Sequence, residues 1–326
     1  MSTRHLVAPE LLPILDAFPP LSFSCKTLPM MRAAQAAMMA QRPSSDMPGV
    51  TVTDRAVPGR NGAPDVRIIE YRPTGASASL PVFLHIHGGG HIVGAPEMND
   101  ARNATLATTL GCVVISVDYR LSPEAPYPAA IDDCYAALEW LNDQAGALGI
   151  DPARITVGGE SAGGGLAAGL ALMARDLGVI SLHSQLLIYP MLDDRAEAAS
   201  SAHTGEFIWT REHNRFGWAS LLGDHAAAPP PYAAPARAGD LAGLPESFIA
   251  VGALDLFLDE DIDYARRLMA AGVPVSLHVV PGAFHGFDGM SAGPLAAGFT
   301  KLYVDWLARI WAADAQASAG GAAIPA

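Results

Sequence analysis

The stretch from Arg154 to Arg175 reads RITVGGESAGGGLAAGLALMAR, and it indicates the architecture of the whole chain. Its first part is a short apolar run typical of a buried strand, whereas its last part has the composition of a helix. Between the two lies GESAG, residues 159–163, which has the pattern G-x-S-x-G. This context predicts that Ser161 sits on a tight strand-to-helix turn at the carboxyl end of a sheet. The flanking glycines fit such a turn, because a strained serine needs neighbours without side chains.

Outward from this turn, short apolar runs alternate with helical stretches along most of the chain. Such alternation is typical of parallel βαβ units whose sheet is covered on both faces. Two period-two segments before the alternation, TVTDRAV and VRIIEYRP, predict antiparallel strands that lead into it. We therefore expect an α/β fold with a mostly parallel, doubly wound sheet of about eight strands. The other predicted strands are LPVFLHIH, CVVISVDY, RITVGGE, SQLLIYP, SFIAVGAL and VSLHVVPG, and the predicted helices cover Glu97–Leu110, Pro128–Gln144, Ala162–Arg175 and Asp259–Ala271.

Two segments do not follow this alternation, and they divide the predicted core. Residues 1–48 contain the Met- and Ala-rich helical stretch LPMMRAAQAAMMAQ, and residues 191–235 form an excursion too long for a bare loop. We expect the two to pack together as a small helical cap over one edge of the sheet, with the core formed by residues 49–190 and 236–313. The alternative for the Met-rich helix is ordinary core filling. The small and polar residues 314–326 are expected to be a disordered tail.

The composition argues against several classes of partner. A formal net charge of −13 disfavours nucleic acid and an anionic membrane surface, since both need clustered Lys and Arg. No apolar run reaches the roughly 18 to 20 residues of a membrane helix, and the N-terminus lacks the apolar run of a signal peptide. The three cysteines, Cys25, Cys112 and Cys134, show neither metal-binding nor redox spacing. We therefore expect a cytoplasmic protein with reduced thiols, no stable membrane insertion and no nucleic-acid partner.

A serine hydroxyl needs a base before it becomes a good nucleophile, so a histidine partner is required. Of the ten histidines, His285 alone lies late in the chain, in a small-residue loop directly after a predicted strand. The imidazole in turn needs an acid, and Asp255 follows the preceding predicted strand. Successive strand ends would bring both residues to the edge of the sheet that holds Ser161. The alternatives are a serine that only caps its helix, a histidine without function, and the nearby acids Asp259, Glu260, Asp261 and Asp263.

Acyl transfer also needs hydrogen-bond donors for a developing oxyanion. The motif HGGG, residues 87–90, lies at the end of the predicted strand LPVFLHIH. Gly88 and Gly89 can turn backbone N–H groups towards a substrate carbonyl without steric cost, and the N–H of Ala162 is a third candidate donor. We expect the ring of His87 to brace this loop through its nitrogens.

Six motifs, in their order and spacing, resemble those of a known family: HGGG, DYRLSPEAPYPAA, GESAGG, YPMLDD, GALDLFLDE and FHGF. Over roughly residues 50 to 312 the chain is similar to the hormone-sensitive-lipase-like branch of bacterial carboxylesterases, in the α/β-hydrolase superfamily. The resemblance implies a serine esterase with Ser161 as nucleophile, His285 as base and Asp255 as acid, acting through an acyl-enzyme intermediate without a cofactor. It also implies a two-part cap, short-to-medium acyl chains in small-molecule esters, and a homodimer.

The surroundings of these residues supply further candidates. Glu160, next to the nucleophile, is expected to orient the neighbouring loops, and the alternative is an exposed acid without a role. We assign Phe207 and Trp209 of the excursion, together with Tyr189 after a core strand, to the substrate pocket. The leaving group stays open: aryl or alkyl esters are favoured over acetylated sugars, phthalate-type monoesters, carbamates, lactones and amides.

Two other functions are compatible with parts of the sequence. His85, His87 and His91 could form a metal-dependent hydrolase site, because residues two apart in a strand point to the same face. However, no acidic residue or cysteine follows at metal-site spacing to complete it, and without a metal His85 is a plain strand residue. A non-catalytic ligand-binding protein on the same fold is the other alternative. It would not need an intact serine, histidine and aspartate set, which is present here.

Overall fold

The computed structural model describes residues 2–40, 47–76, 79–195 and 203–320, and a mixed eight-stranded sheet forms its centre. The strands are β1 (Val50–Val57), β2 (Val66–Pro73), β3 (Leu80–Ile86), β4 (Val113–Asp118), β5 (Ile150–Glu160), β6 (Ser184–Ile188), β7 (Glu246–Gly252) and β8 (Val275–Val280). Their order in the sheet is β1-β2-β4-β3-β5-β6-β7-β8. The β1–β2 and β2–β4 pairs are antiparallel, and every other pair is parallel. The predicted fold class is therefore confirmed.

Helices cover both faces of the sheet. They are α1 (Leu12–Ala17), α2 (Leu28–Ala40), α3 (Asp100–Leu110), α4 (Ala129–Asp143), α5 (Ala145–Leu148), α6 (Ala162–Leu177), α7 (Arg211–Leu222), α8 (Leu258–Ala270), α9 (Phe287–Met290) and α10 (Pro294–Gly320). Helices α4, α6 and α8 contribute to one apolar core and α3 and α10 to another, one on each face of the sheet. Strand β3, with the sequence LPVFLHI, is buried along its whole length because both of its faces are covered.

The last helix corrects one sequence prediction. Helix α10 continues through Gly320, so residues 314–320 are helical rather than disordered, and residues 321–326 lie outside the described part. Alanine, the best helix former, is frequent in this stretch, and it extends a helix already anchored by buried Phe299 and Trp306. None of the helices in the described ranges combines the length and apolar character needed to span a membrane.

The two segments outside the alternation touch each other beside the carboxyl ends of the parallel strands. We call residues 2–40 the N-terminal segment, and the structure describes residues 191–195 and 203–235 of the excursion. Nε2 of His213, on α7 of the excursion, lies 3.1 Å from the carbonyl oxygen of Leu21. The rings of Phe23 and Trp209 lie 5.8 Å apart between centroids, so the contact is also apolar.

The Met-rich helix α2 does not serve as core filling at every position. Met30 and Met38 are 68% and 61% exposed, so these side chains face solvent. Residues 41–46 and 196–202, which the predicted cap included, lie outside the described residues.

Candidate active site

Ser161 occupies the sharp turn between β5 and α6. Its backbone has φ 56° and ψ −121°, a conformation that side-chain-bearing residues rarely adopt. A Cβ atom on Gly159 or Gly163 would lie 2.1 or 2.0 Å from the carbonyl oxygen of Ile86 on β3. The two glycines are therefore required, because the turn packs directly on the neighbouring strand.

The structure brings Ser161, His285 and Asp255 into one hydrogen-bonded chain. His285 Nε2 lies 2.9 Å from Ser161 Oγ, and His285 Nδ1 lies 2.9 Å from Asp255 Oδ2. Asp255 is fully buried, and its other carboxylate oxygen accepts a hydrogen bond from the N–H of Phe257 at 3.0 Å. The order along the chain is serine, aspartate, histidine, and each residue follows the end of a parallel strand.

The competing acids on α8 have other surroundings. One carboxylate oxygen of Glu260 accepts hydrogen bonds from the N–H groups of Leu192 and Asp193, at 2.8 and 3.1 Å. Asp263 pairs with Arg266 on the surface. Asp255 is thus the acid that the fold places against the imidazole.

Aromatic side chains surround the ring of His285. Tyr189 and Phe257 meet it edge to face, with centroids 4.8 and 5.2 Å away, and Trp209 lies 6.1 Å away. These contacts restrict the orientation of the imidazole, which keeps Nε2 directed at Ser161.

The glycine loop after β3 lies directly beside the serine. A Cβ atom on Gly88 would lie 3.4 Å from Cβ of Ser161. Gly89 has φ 117°, and a Cβ atom there would lie 2.0 Å from the carbonyl oxygen of Val93. Ala162 is the first residue of α6, where a backbone N–H has no acceptor within its own helix and the helix dipole favours negative charge. Gly88, Gly89 and Ala162 thus border the serine that would attack a substrate carbonyl.

The three histidines of the HIHGGGH stretch do not converge on one point. Nδ1 of His87 lies 2.8 Å from the carbonyl oxygen of Gly88, whereas its Nε2 has no hydrogen-bond partner among the described residues, and its ring stacks on Tyr119 with centroids 4.2 Å apart. His91 instead lies beside Trp218 of α7, with ring centroids 6.1 Å apart. In the described ranges no three His, Cys, Asp or Glu side chains are arranged to hold a metal ion.

His85 is more than a plain strand residue. Its Nδ1 lies 2.8 Å from Ser116 Oγ, and its Nε2 lies 3.2 Å from Glu160 Oε2. Glu160 is only 7% exposed, so the alternative of an exposed acid is wrong. Burial alone would raise the pKa of Glu160, but His85 and Arg102 hold it at about 2, and the carboxylate is therefore ionised.

Two buried histidines beside the glycine loop are sensitive to acid. Burial lowers the pKa of His87 to about 4 and that of His91 to about 3. Neither ring nitrogen of His91 has a hydrogen-bond partner among the described residues. An unfolded histidine titrates near about pH 6.5. Below that pH the unfolded state binds a proton that the folded state excludes, so each of these histidines lowers the free energy of unfolding as the pH falls.

We expect the His91→Phe variant to gain stability relative to the wild type as the pH falls from 7.5 to 5. The relative gain should be about 1.4 kcal/mol per pH unit below about pH 6.5, as measured by urea unfolding of both proteins. Effects of the substitution that do not depend on pH cancel in this comparison. The carboxyls of Glu260 and Asp261, whose pKa values burial raises, are common to both proteins. A stability difference that stays constant between pH 7.5 and 5 would show that His91 is not held neutral.

A cavity of about 350 Å³ opens beside Ser161 and His285. Two of its walls, Trp209 and Tyr189, are residues that the sequence predicts for the pocket, whereas the walls from the N-terminal segment are not predicted. Its apolar lining includes Leu21, Phe23, Val93, Met98, Ile208 and Met290. No pattern in residues 1–48 marks Leu21 and Phe23 as pocket residues, because they are placed there only by tertiary packing against the excursion.

The structure places Phe207 outside this cavity, which corrects the sequence assignment. The ring of Phe207 packs edge to face on Phe284, with centroids 6.2 Å apart. Residues two apart share a face in an extended chain. Ile208 has φ 59°, however, so the backbone turns between the two aromatic residues. Trp209 therefore faces the cavity while Phe207 faces the core beneath it.

A doubly wound sheet that carries serine, aspartate and histidine, in that chain order, to one edge defines the α/β-hydrolase class of proteins. In comparison with known proteins, a family model described as the alpha/beta hydrolase fold matches residues 83–289. The chain belongs to this family, in its hormone-sensitive-lipase-like branch, as its motifs predicted.

Similar proteins are named as esterases. Carboxylesterase NlhH of Mycobacterium tuberculosis is 36% identical over 290 residues, which cover 87% of this chain and 89% of its own length. An arylesterase of Saccharolobus solfataricus is 37% identical over 210 residues, or 64% of this chain and 68% of its own. The solved structure of a bacterial heroin esterase matches with a TM-score of 0.89 and 39% identity, covering 95% of this chain and 99% of its own. The predicted enzyme class, carboxylic ester hydrolase, is confirmed by these similarities.

Proposed function

We propose that this protein is a serine carboxylesterase that hydrolyses short-to-medium acyl-chain esters through an acyl-enzyme intermediate. One observation carries the proposal: the Ser161–His285–Asp255 chain, with both links at 2.9 Å, ends in a largely apolar cavity that Gly88 and Gly89 also line. Family membership supports the same reaction.

The first half-reaction acylates the serine. Ser161 Oγ attacks the ester carbonyl carbon while Nε2 of His285 takes the hydroxyl proton. The carbonyl π electrons move onto the oxygen, and the resulting oxyanion accepts hydrogen bonds from the N–H groups of Gly88, Gly89 and Ala162. When the carbonyl re-forms, the bond to the alcohol oxygen breaks, and the imidazolium returns its proton to the leaving alcohol.

The second half-reaction repeats these steps with water. His285 removes a proton from a water molecule that attacks the acyl carbon, and the proton then passes to Ser161 Oγ as the carboxylic acid leaves. Throughout both half-reactions, Asp255 accepts a hydrogen bond from the N–H group at Nδ1 of His285. It thereby fixes the tautomer whose Nε2 is free to act as base, and it stabilises the imidazolium.

The cavity supports uncharged ester substrates of modest size. Its volume of about 350 Å³ lies near the lower end of the roughly 300–1,000 Å³ that is usual for small-molecule sites. The walls that face Ser161 come from both the N-terminal segment and the excursion, which we propose act together as a two-part cap. Apolar cap residues such as Phe23 and Trp209 favour aryl or alkyl groups over charged ones.

A series of p-nitrophenyl esters from acetate to laurate tests this substrate class. We expect kcat/KM to reach its maximum between C2 and C8, because longer acyl chains exceed the enclosed space. Trp209→Ala should move the maximum to longer chains, whereas Phe207→Ala, a matched aromatic outside the cavity, should leave it in place. A wild-type maximum at C10 or longer would refute the proposed chain length.

The alternatives predict different responses to inhibitors. Hydrolysis by a metal site built on His85, His87 and His91 would be lost after chelator treatment. The serine mechanism instead predicts hydrolysis that resists chelators and is stopped by a serine-reactive organophosphate. A ligand-binding protein without catalysis would show no turnover in either case. The homodimer and the cytoplasmic location stay predictions.

A further inference from the structure

Arg102 of α3 joins the two turns that carry the serine and the histidine. Its Nη1 donates to Glu160 Oε1 at 2.5 Å, and its Nη2 donates to Asp288 Oδ2 at 2.5 Å. Glu160 directly precedes Ser161, and Asp288 lies three residues after His285. The Arg102 side chain is 17% exposed, so the bridge is largely shielded from water. One guanidinium thus spans the two parts of the chain whose spacing sets the 2.9 Å contact between Ser161 and His285.

Both ends of this bridge continue towards other buried groups. Asp288 Oδ1 accepts a hydrogen bond of 2.6 Å from the hydroxyl of Tyr189, whose ring meets His285 edge to face at 4.8 Å. The second carboxylate oxygen of Glu160 lies 3.2 Å from Nε2 of His85. The network therefore reaches from β3, through the turn of Ser161, to the face of the imidazole.

Arg102 offsets part of the negative charge of the network. The Glu160 carboxylate is ionised, since its pKa is held at about 2. Burial and Asp288 raise the pKa of Tyr189, so its hydroxyl keeps its proton and acts as a donor. Without the guanidinium, two carboxylates would face one another with no cation between them in a poorly hydrated place. Unbalanced negative charge near an imidazole stabilises its protonated form.

We propose that Arg102 is a positioning residue for ester hydrolysis: it ties the turn of Ser161 to the loop of His285 and offsets the carboxylates that would otherwise favour the imidazolium. This inference rests on the proposed serine esterase function. It assigns to α3, outside the triad and the glycine loop, a role in keeping the base neutral and aligned.

Among the described residues, the other groups that contact His285 do not supply a positive charge. Asp255 is its direct partner, and the hydrogen-bond and ring contacts described for it are otherwise with Ser161 and with aromatic rings. On α8, burial raises the pKa of Glu260 and Asp261, which disfavours the charged form of both carboxyls. Within the described part of the chain, the cation that bridges Glu160 and Asp288 is Arg102.

The test compares the pH dependence of kcat/KM for p-nitrophenyl acetate in the wild type and in Arg102→Met. We expect kcat to fall about 10- to 100-fold with KM changed less than about threefold, because alignment rather than binding is lost. The acid-side midpoint of kcat/KM should rise by about one pH unit. Arg102→Lys keeps the charge but cannot span both carboxylates, so it should lower kcat and leave the midpoint in place.

Two further variants separate positioning from a merely structural role. The double variant Arg102→Met/Asp288→Asn removes one charge of each sign, so its net charge equals that of the wild type. The acid-side midpoint of its kcat/KM profile should therefore return to the wild-type value. Arg60→Met is the matched control: Arg60 is 20% exposed and pairs with Asp132 and Glu139 of α4, which packs on the other face of the sheet from α3, and it does not line the cavity. It should lose stability without moving the pH profile.

The inference is overturned if Arg102→Met keeps both the wild-type kcat and the wild-type acid-side midpoint of kcat/KM. It is also overturned if Arg60→Met shifts that midpoint as much as Arg102→Met does. Should Arg102→Met fail to fold, Arg102→Lys decides the question, since unchanged kcat in that variant would exclude a positioning bridge. Failure of the proposed function would appear in the wild type itself, as hydrolysis that an organophosphate does not stop. The two failures are therefore distinguishable.

Discussion

Replacing Ser161 by alanine should lower kcat for p-nitrophenyl acetate by about 10⁴- to 10⁶-fold, with the fold intact. The serine oxygen is the atom that bonds to the acyl group, so no neighbouring side chain can substitute for it. Any residual rate would come from the backbone donors, which still polarise the carbonyl for attack by water. Steady-state kinetics with purified protein, corrected for spontaneous hydrolysis, measures the effect.

Ser220→Ala is the matched control for this variant. Ser220 is also buried, but its hydroxyl donates to the carbonyl of Phe216 within α7, 2.7 Å away, and has no place in the reaction. Its kcat should stay within about twofold of the wild type, because substitutions away from the reacting atoms have small effects. Wild-type activity in Ser161→Ala would overturn the catalytic assignment.

Replacing Gly89 by alanine should lower kcat by about 10²- to 10³-fold, the effect expected when an oxyanion donor is misplaced. A Cβ atom at this position would lie 2.0 Å from the carbonyl oxygen of Val93, and φ is 117°. The loop must therefore shift, and it carries the N–H groups of Gly88 and Gly89 with it. A shifted donor stabilises the transition state less well, and it affects the bound ester to a smaller degree. We therefore expect kcat to fall by a larger factor than KM rises.

Gly111→Ala separates this effect from ordinary backbone strain. Gly111 also has positive φ, at 61°, but an added Cβ atom would meet nothing within 4 Å. It should cost about 1 kcal/mol of stability through strain and leave kcat unchanged. If both variants lose stability and both keep full kcat, the glycine loop does not form the oxyanion site.

The turn of Ser161 could be predicted because its determinants are local. Strand, glycines, serine and helix follow one another within residues 154–175, and each has its own steric reason. Asp255 and His285 could be predicted for a related reason: the residues that follow parallel strands lie at one edge of the sheet. The fold and the three central residues are thus encoded in short patterns.

The surroundings of these residues could not be predicted in the same way. Arg102 meets Glu160 and Asp288 from distant parts of the chain, and nothing around it in α3 forms a motif. Phe207 was misassigned because a left-handed residue at Ile208 reverses the alternation that an extended segment would have. Pocket walls and charge networks depend on tertiary packing, which sequence periodicity does not report.

Ser161 is proposed as the nucleophile whose Oγ bonds to the acyl group, and covalent labelling tests this role most directly. The wild-type protein is treated with diethyl p-nitrophenyl phosphate, and the loss of esterase activity is followed alongside intact mass and peptide mass spectrometry. We predict one diethylphosphoryl group per chain, on the peptide that contains Ser161, appearing at the rate at which activity is lost. Full activity in protein labelled at Ser161, or full inactivation with Ser161 unmodified, would contradict the account.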